Sequence, residues 1–261
     1  MSFDEPVLHF MSSPVLEINV DASLDDAHEL MRANGVSCLL ATGRDALPTG
    51  VVSRTDLLQV AHVRRRIVGG RVALELPAMC VGDVMTRKLI SVEKDATASE
   101  AARRMVENHI HRVFVRDGER LTGVFSTKDA MRAVIKARIA APISEFMSKP
   151  VISVESDESL GKVVDQLARA GIAGVVVMEV GRVVGIFTQE EALEAREQPL
   201  TVPVEEHMTQ SMVCLASDTS LFRAAGFSIA TRARRVLAVE HHHVTGILTG
   251  LDFARAIAGM N

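Results

Sequence analysis

Gly123-Val124-Phe125-Ser126-Thr127-Lys128-Asp129 decides how the chain is read, because its pattern of glycine, two apolar residues, hydroxyl, two spacers and acid occurs four times. The other copies are Gly50-Val51-Val52-Ser53-Arg54-Thr55-Asp56, Gly185-Ile186-Phe187-Thr188-Gln189-Glu190-Glu191 and Gly246-Ile247-Leu248-Thr249-Gly250-Leu251-Asp252. Their glycines lie 73, 62 and 61 residues apart, so the 261 residues form an array of one unit. In each copy apolar residues precede the hydroxyl and a helix-periodic segment follows the acid, as where a strand passes into a helix. Helix-start N–H groups are free at such a junction. A hydroxyl and a carboxylate there serve as a cap, or beside a phosphorylated ligand. For any single copy the cap is the simpler reading.

Working outward, each junction is preceded by a methionine followed by Ser or Thr, at Met11, Met85, Met147 and Met208, and ten residues later by Asp21, Asp95, Asp157 and Asp218. Two residues further on, Ser23, Thr97, Ser159 and Ser220 stand where an N-cap belongs. Glu100 completes a strict capping box with Thr97, and Asp26 is a shorter stand-in beside Ser23. Helices follow, then β-rich runs over Val36 to Ala41, Ile110 to Val115, Ile172 to Val177 and Val236 to Val239, then a turn and the strand carrying the motif glycine. Each copy reads strand, helix, strand, strand, helix. The copies span 6–66, 78–138, 142–198 and 202–259. A unit of about 60 residues is marginal alone, so copies should pack in pairs. The longer connector between the first two runs from Arg64-Arg65-Arg66, read as a solvated helix end, past Gly69-Gly70, read as flexible, to Pro77.

Composition narrows the classes. Hydrophobic residues make up 48% of the chain, enough for a core, and no run of about 18 apolar residues predicts a membrane span. Met1–Phe10 carries acids and a proline instead of a basic-then-apolar leader, which predicts a cytoplasmic protein. Cys38, Cys80 and Cys214 are odd in number and far apart, so they read as small core residues, neither a disulfide framework nor a metal set. His241-His242-His243 reads as an exposed turn, without acids or cysteines at metal-ligand spacing. A net charge of −4, no Trp and no Tyr argue against a nucleic-acid binder. No nucleophile triad, His-Glu-x-x-His or phosphate-loop motif is present, so the chain reads as not an enzyme.

The βαββα unit, its leading Met-Ser/Thr, the stretch Ile110-His111-Arg112-Val113-Phe114-Val115 and the closing Gly-x-x-Ser/Thr-x-x-Asp resemble the CBS domain. The resemblance covers nearly the whole chain. It implies an α+β fold of four tandem βαββα CBS domains paired into two Bateman modules, similar to stand-alone prokaryotic CBS proteins and the γ subunit of AMP-activated protein kinase. It further implies a non-catalytic, energy-sensing regulatory protein that binds AMP, ADP or ATP, or else S-adenosylmethionine, in clefts between paired domains, with no cofactor.

By that resemblance the motif acids Asp56, Asp129 and Asp252 take ribose hydroxyls, while Glu191 departs from the pattern by one methylene. Ser53, Ser126, Thr188 and Thr249 approach ribose or phosphate, and Val15, Leu89, Val36 and Ile110 form the apolar slot for adenine. His111, Arg112 and Lys128 supply one phosphate pole in the first module, and Arg234 and Arg235 another in the second. The matching positions in the first and third copies are Ser37-Cys38 and Ala173-Gly174, which suit ligands without phosphate. Charge-assisted contacts from arginine contribute roughly 1.5–3 kcal/mol each. The expected partners are an adenine nucleotide, a second copy of the chain or a regulated protein. The rival readings are a docking hub with little ligand dependence, and a nucleic-acid binder acting through Arg64–Arg66 and Arg232-Ala233-Arg234-Arg235.

Overall fold

A computed structural model describes residues 3–259 except 64, 69, 70 and 242, with the backbone alone for 62, 63, 65–68 and 71. Copy one comprises β1 (Glu17–Asn19), α1 (Leu24–Ala33), β2 (Cys38–Thr42), β3 (Pro48–Ser53) and α2 (Arg54–Val63). A hairpin, β4 (Arg65–Val68) and β5 (Arg71–Leu74), and the short α3 (Val81–Val84) lead to copy two: β6 (Ser91–Glu93), α4 (Ala98–Glu107), β7 (Arg112–Asp117), β8 (Arg120–Ser126) and α5 (Thr127–Ala137). Copy three is β9 (Ser153–Glu155), α6 (Leu160–Ala170), β10 (Gly174–Glu179), β11 (Arg182–Thr188) and α7 (Gln189–Glu194). Copy four is β12 (Val213–Ala216), α8 (Leu221–Thr231), β13 (Val236–Glu240), β14 (His243–Leu248) and α9 (Gly250–Ala258).

The βαββα reading therefore holds in all four copies. Each makes a three-stranded mixed sheet, its first pair parallel and its second antiparallel, with a register shift at the same place in every copy. Strands β2, β7 and β10 start two residues later than the apolar runs predict. Val36, Ile110 and Ile172 instead donate their N–H groups back to Met31, Met105 and Leu167, closing the preceding helices. The left-handed residues Gly35, His109 and Gly171 just before them make that return.

The N-caps fall where expected and Asp26 closes its capping box, but the strict box expected of Glu100 does not form. Ser23 and Asp26 bond reciprocally, whereas Thr97 accepts from Glu100 N–H and the Glu100 side chain turns to Arg104. Glutamate at this position is drawn off by a cation one turn on. The connector is likewise more regular than predicted: β4 and β5 pair in antiparallel register, so Arg65 and Arg66 begin a strand, not a helix end. Arg64, Gly69, Gly70 and His242 lie outside the described residues. Cys38 is buried, but Cys80 and Cys214 are exposed, not core. Cys80 caps α3, and Cys214 sits on the edge strand β12.

The chain divides into two compact units. One holds Met1–Val15, Ile90–Val151 and Ser211–Asn261, and so the sheets and helices of copies two and four. Here α4 packs on α9, and α5 on α8 and α9, over a core that includes Met105, Phe125, Leu221 and Phe253. The other holds Leu16–Leu89 and Ile152–Gln210, with copies one and three. In it α2 packs on α6 and α7 over Leu24, Leu57, Leu160 and Phe187. Among the described residues, no helix is long and apolar enough to cross a membrane.

The leading segments are exchanged. Ser12, ahead of copy one, pairs with Val124 of copy two, and Thr86, ahead of copy two, pairs with Val51 of copy one. Copies three and four repeat this through Ser148–Ile247 and Thr209–Ile186. The repeated glycine exists for this crossing. A Cβ on Gly123 would stand 2.6 Å from Met11 Sδ and 3.0 Å from the Ser12 carbonyl oxygen, and one on Gly50 2.8 Å from both Met85 Sδ and the Thr86 carbonyl oxygen. Copies one and two thus swap their leading methionines, as do three and four.

Candidate functional site

Each motif hydroxyl is the N-cap or last strand residue at its junction, and each motif acid is the third residue of the helix that follows. The acid folds back on the hydroxyl residue. Asp56 accepts from Ser53 N–H at 2.8 Å and Ser53 Oγ at 2.7 Å, and Asp129 from Ser126 N–H at 2.9 Å and Ser126 Oγ at 2.7 Å. Asp252 accepts from Thr249 N–H at 2.6 Å and Thr249 Oγ1 at 2.8 Å, and Glu191 from Thr188 N–H at 3.0 Å and from its hydroxyl. All four acids are caps, and the extra methylene of Glu191 does not prevent it. Capping leaves one carboxylate oxygen for other work.

In the unit of copies two and four, Asp129 and Asp252 are buried, and their outer oxygens are engaged. Arg132 Nη1 lies 2.6 Å from Asp129 Oδ1. Asp252 Oδ1 receives Arg255 and, at 3.2 Å, the Ser148 hydroxyl of a leading segment. Burial raises the Asp129 carboxyl above the usual carboxylate range, against the bonds from Ser126 and the charge of Arg132. The starts of α5 and α9 touch: a Cβ on Gly250 would stand 2.5 Å from Thr127 Cβ.

The basic residues gather in the same unit. His111 is an exposed residue whose ring is crowded by protein, and its pKa is pushed down to about 4, first by burial and then by the charges of Arg112, Arg235 and Arg234. Solvent at this exposed residue softens that effect. The two basic pairs, expected at separate poles, therefore act on one another across copies two and four. His111 also receives the first N–H of α5, from Thr127 to its carbonyl oxygen at 3.0 Å. Lys128 is exposed in the first turn of that helix. Val15 and Ile110, half-buried, belong to this unit.

The unit of copies one and three is arranged differently. Arg54, buried, makes a fork of two bonds to Glu190, 2.7 Å from Oε2 and 2.8 Å from Oε1, and Thr55 donates to Gln189 at 3.0 Å. These pairs join the first turns of α2 and α7; at the matching place in the other unit Thr127 lies against Gly250. Sequence reading missed the fork, because Arg54 and Glu190 fall at the two spacer positions and are 136 residues apart. Burial raises the pKa of Asp56, opposed by its bonds to Ser53. Glu194 is also raised, by burial and by the neighbouring charges of Glu190 and Glu191. Val36 and Leu89, both half-buried, lie in this unit. Among the described residues no group of three or more His, Cys, Asp or Glu could hold a metal ion.

The CBS-domain family model matches residues 7–63, 81–136, 143–198 and 204–259, and the chain belongs to the CBS-domain family. Its structure is similar to that of protein MJ1225 from Methanocaldococcus jannaschii, presented as a candidate archaeal homolog of g-AMPK. The TM-score is 0.82 at 17% identity, over 97% of this chain and 100% of that one, a likeness that establishes the fold. An uncharacterized 33.4 kDa protein in a ribosomal RNA operon of Thermofilum pendens is 26% identical over 186 residues, 66% of this chain and 58% of that protein. An L-aspartate semialdehyde sulfurtransferase of M. jannaschii is 29% identical over 120 residues, 45% of this chain and 23% of that enzyme. The chain thus spans about half or less of these two relatives.

Proposed function

We propose that the chain is a non-catalytic, cytoplasmic regulatory protein whose paired CBS domains bind an adenine nucleotide, AMP, ADP or ATP, and pass the binding state to a protein partner or a second copy. The observation that carries this is that the charges of Arg112, Arg234 and Arg235 all act on His111, whose carbonyl oxygen accepts the first N–H of α5, in a chain of net charge −4. Guanidinium groups match phosphate bidentately. Ribose falls to the motif acids, with Ser53, Ser126, Thr188 and Thr249 beside them. Adenine falls to Val15, Val36, Leu89 and Ile110. Regulation follows from linkage, since a ligand shifts an equilibrium only by its difference in affinity for the two states.

One observation favours a second reading for part of the chain. Ser37, Cys38, Ala173 and Gly174 carry no charge, and the motif acid of copy three is flanked by Glu190 and Glu194, which suits an adenosyl ligand without phosphate, such as S-adenosylmethionine. Thermal unfolding against AMP, ADP, ATP and S-adenosylmethionine tests both readings. A ligand at about 100 times its Kd stabilises by roughly 2.7 kcal/mol, several degrees in midpoint. Shifts with phosphorylated ligands that fade in His111→Ala/Arg112→Ala and Arg234→Ala/Arg235→Ala support the nucleotide reading. No shift with any ligand, in protein freed of carried-over nucleotide, refutes it.

A further inference from the structure

In the unit of copies one and three the chain supplies its own anion where two helices start. Arg54 takes the junction position that Thr127 holds in copy two: each donates its N–H to the strand ahead, to the carbonyl oxygen of Ser37 at 3.2 Å and of His111 at 3.0 Å. The Arg54 guanidinium is forked on the Glu190 carboxylate, and Thr55 donates to Gln189 beside it. The two links exchange under a swap of copies, first spacer to second and second to first. The same rule in the other unit matches Thr127 with Leu251 and Lys128 with Gly250, and neither match can form an ion pair. The side chain of Arg54 is 6% exposed and that of Glu190 30%, so the acid is the outer member and stands between the guanidinium and water. Where the other unit carries His111, Arg112, Arg234 and Arg235, this one has Ser37, Cys38, Ala173 and Gly174. Arg54 is thus a cation at this junction that the chain has already matched.

We infer that Glu190 is a built-in competitor of anionic ligands: by occupying Arg54 it keeps phosphate out of the unit of copies one and three and holds the starts of α2 and α7 together without a ligand. Glu190 thereby determines specificity, confining a phosphate-bearing ligand to the other unit. The inference rests on the adenine-nucleotide reading above and adds the residue that sorts the two units. A guanidinium presents a planar fork that fits one carboxylate or one phosphate edge. The tethered acid wins, because it reaches Arg54 without the loss of translational freedom that a free anion suffers. Removing it should uncover an anion site that the folded chain conceals. Arg54 also acts on the carboxyl of Glu194, which would take over in part, so both acids are replaced in the test.

The test is titration calorimetry of the full chain with inorganic pyrophosphate at fixed ionic strength, on the wild type, Glu190→Gln/Glu194→Gln and Arg54→Met/Glu190→Gln/Glu194→Gln, each first shown to be folded by its unfolding curve. Pyrophosphate carries the anion without ribose or adenine. The variant lacking both acids is expected to bind an additional equivalent over the wild type, and Arg54→Met to abolish it. Glu190→Asp, too short for both bonds of the fork, is the second variant should the first not fold. Losing one charge-assisted bond weakens the internal competitor by about tenfold or more, so the additional equivalent should appear there too, more weakly bound. Unchanged stoichiometry in whichever of these variants folds, or an additional equivalent that survives Arg54→Met, overturns the inference while leaving the nucleotide reading intact. An additional equivalent in a chain whose wild type binds no AMP, ADP or ATP refutes the nucleotide reading and leaves Glu190 as the competitor.

Discussion

Asp252→Ala and Asp56→Ala remove the same motif acid in two copies, and their costs should differ by about 2 kcal/mol. At Asp252 the side chain is fully buried and has four donors. Removing it deletes a cap, about 1 kcal/mol. It leaves the hydroxyls of Thr249 and Ser148 without their acceptor, about 1 kcal/mol each. Arg255 is 35% exposed, so its ion pair is screened and adds about 0.5 kcal/mol. The sum is about 3–4 kcal/mol. At Asp56 the cap is lost and the Ser53 hydroxyl loses its acceptor, about 1 kcal/mol each, and removing a carboxylate whose pKa is raised by burial relieves part of that. That substitution should cost about 1 kcal/mol.

The assay is urea unfolding of the full chain with no ligand, followed by far-UV circular dichroism, with thermal midpoints in parallel. At roughly 2–4 °C per kcal/mol, Asp252→Ala should lower the midpoint by about 6–16 °C and Asp56→Ala by about 2–4 °C. Ser148→Ala should recover about 1 kcal/mol of the difference as coupling in a double-mutant cycle with Asp252→Ala. Equal losses at the two positions, or a cost below about 0.5 kcal/mol for Asp252→Ala, would refute the hydrogen-bond count at the two acids.

Three further outcomes are expected. A Cβ on Gly246 would stand 2.3 Å from Met147 Sδ and 2.7 Å from its Cγ, so Gly246→Ala should cost about 1–3 kcal/mol in urea unfolding, with part regained in Gly246→Ala/Met147→Ala. Glu190→Ala removes the forked partner of buried Arg54 and should cost about 3 kcal/mol, whereas replacing both by apolar residues of similar volume should cost less, measured by the same unfolding curves. His111 takes a proton near pH 6.5 when unfolded and near 4 when folded, so its contribution is complete above about pH 6.5 and lost as pH falls toward 4. The residue is exposed, and screening reduces the contribution to about 1 kcal/mol. Stability measured across that window should rise with pH in the wild type and flatten in His111→Asn.

Much of this was legible along the chain, because the features involved are local. The period, the strand–helix junctions and the hydroxyl–acid caps depend on residues three or four apart, and each is repeated four times. Departures began where a local signal had two physical outlets. Val36 and Ile110 look like strand residues, yet they follow left-handed Gly35 and His109 and close a helix instead. Glycine announces that conformation, whereas histidine does not. Cys80 and Cys214 have the composition of core residues, but a cap position and an edge strand turn them outward.

The exchange of leading segments was out of reach for a stronger reason. Every copy carries one methionine and one glycine at matching places, so the repeat is satisfied equally whether Met11 packs on Gly50 or on Gly123. Periodicity is invariant to that choice. Only the fold distinguishes the alternatives, and it selects the neighbouring copy in all four cases. The same argument separates the Arg54–Glu190 fork from the Asp129–Arg132 pair. Asp129 and Arg132 lie three residues apart on one helix, and their pairing could have been read from the spacing together with the lone arginine after each of two motif acids. Arg54 and Glu190 occupy spacer positions that the repeat leaves unconstrained, and they meet only because α2 packs on α7. What a copy does locally is therefore written in its own stretch, and what distinguishes one motif acid from another is written one turn further on, where Gln59, Arg132, Glu194 and Arg255 break the repeat.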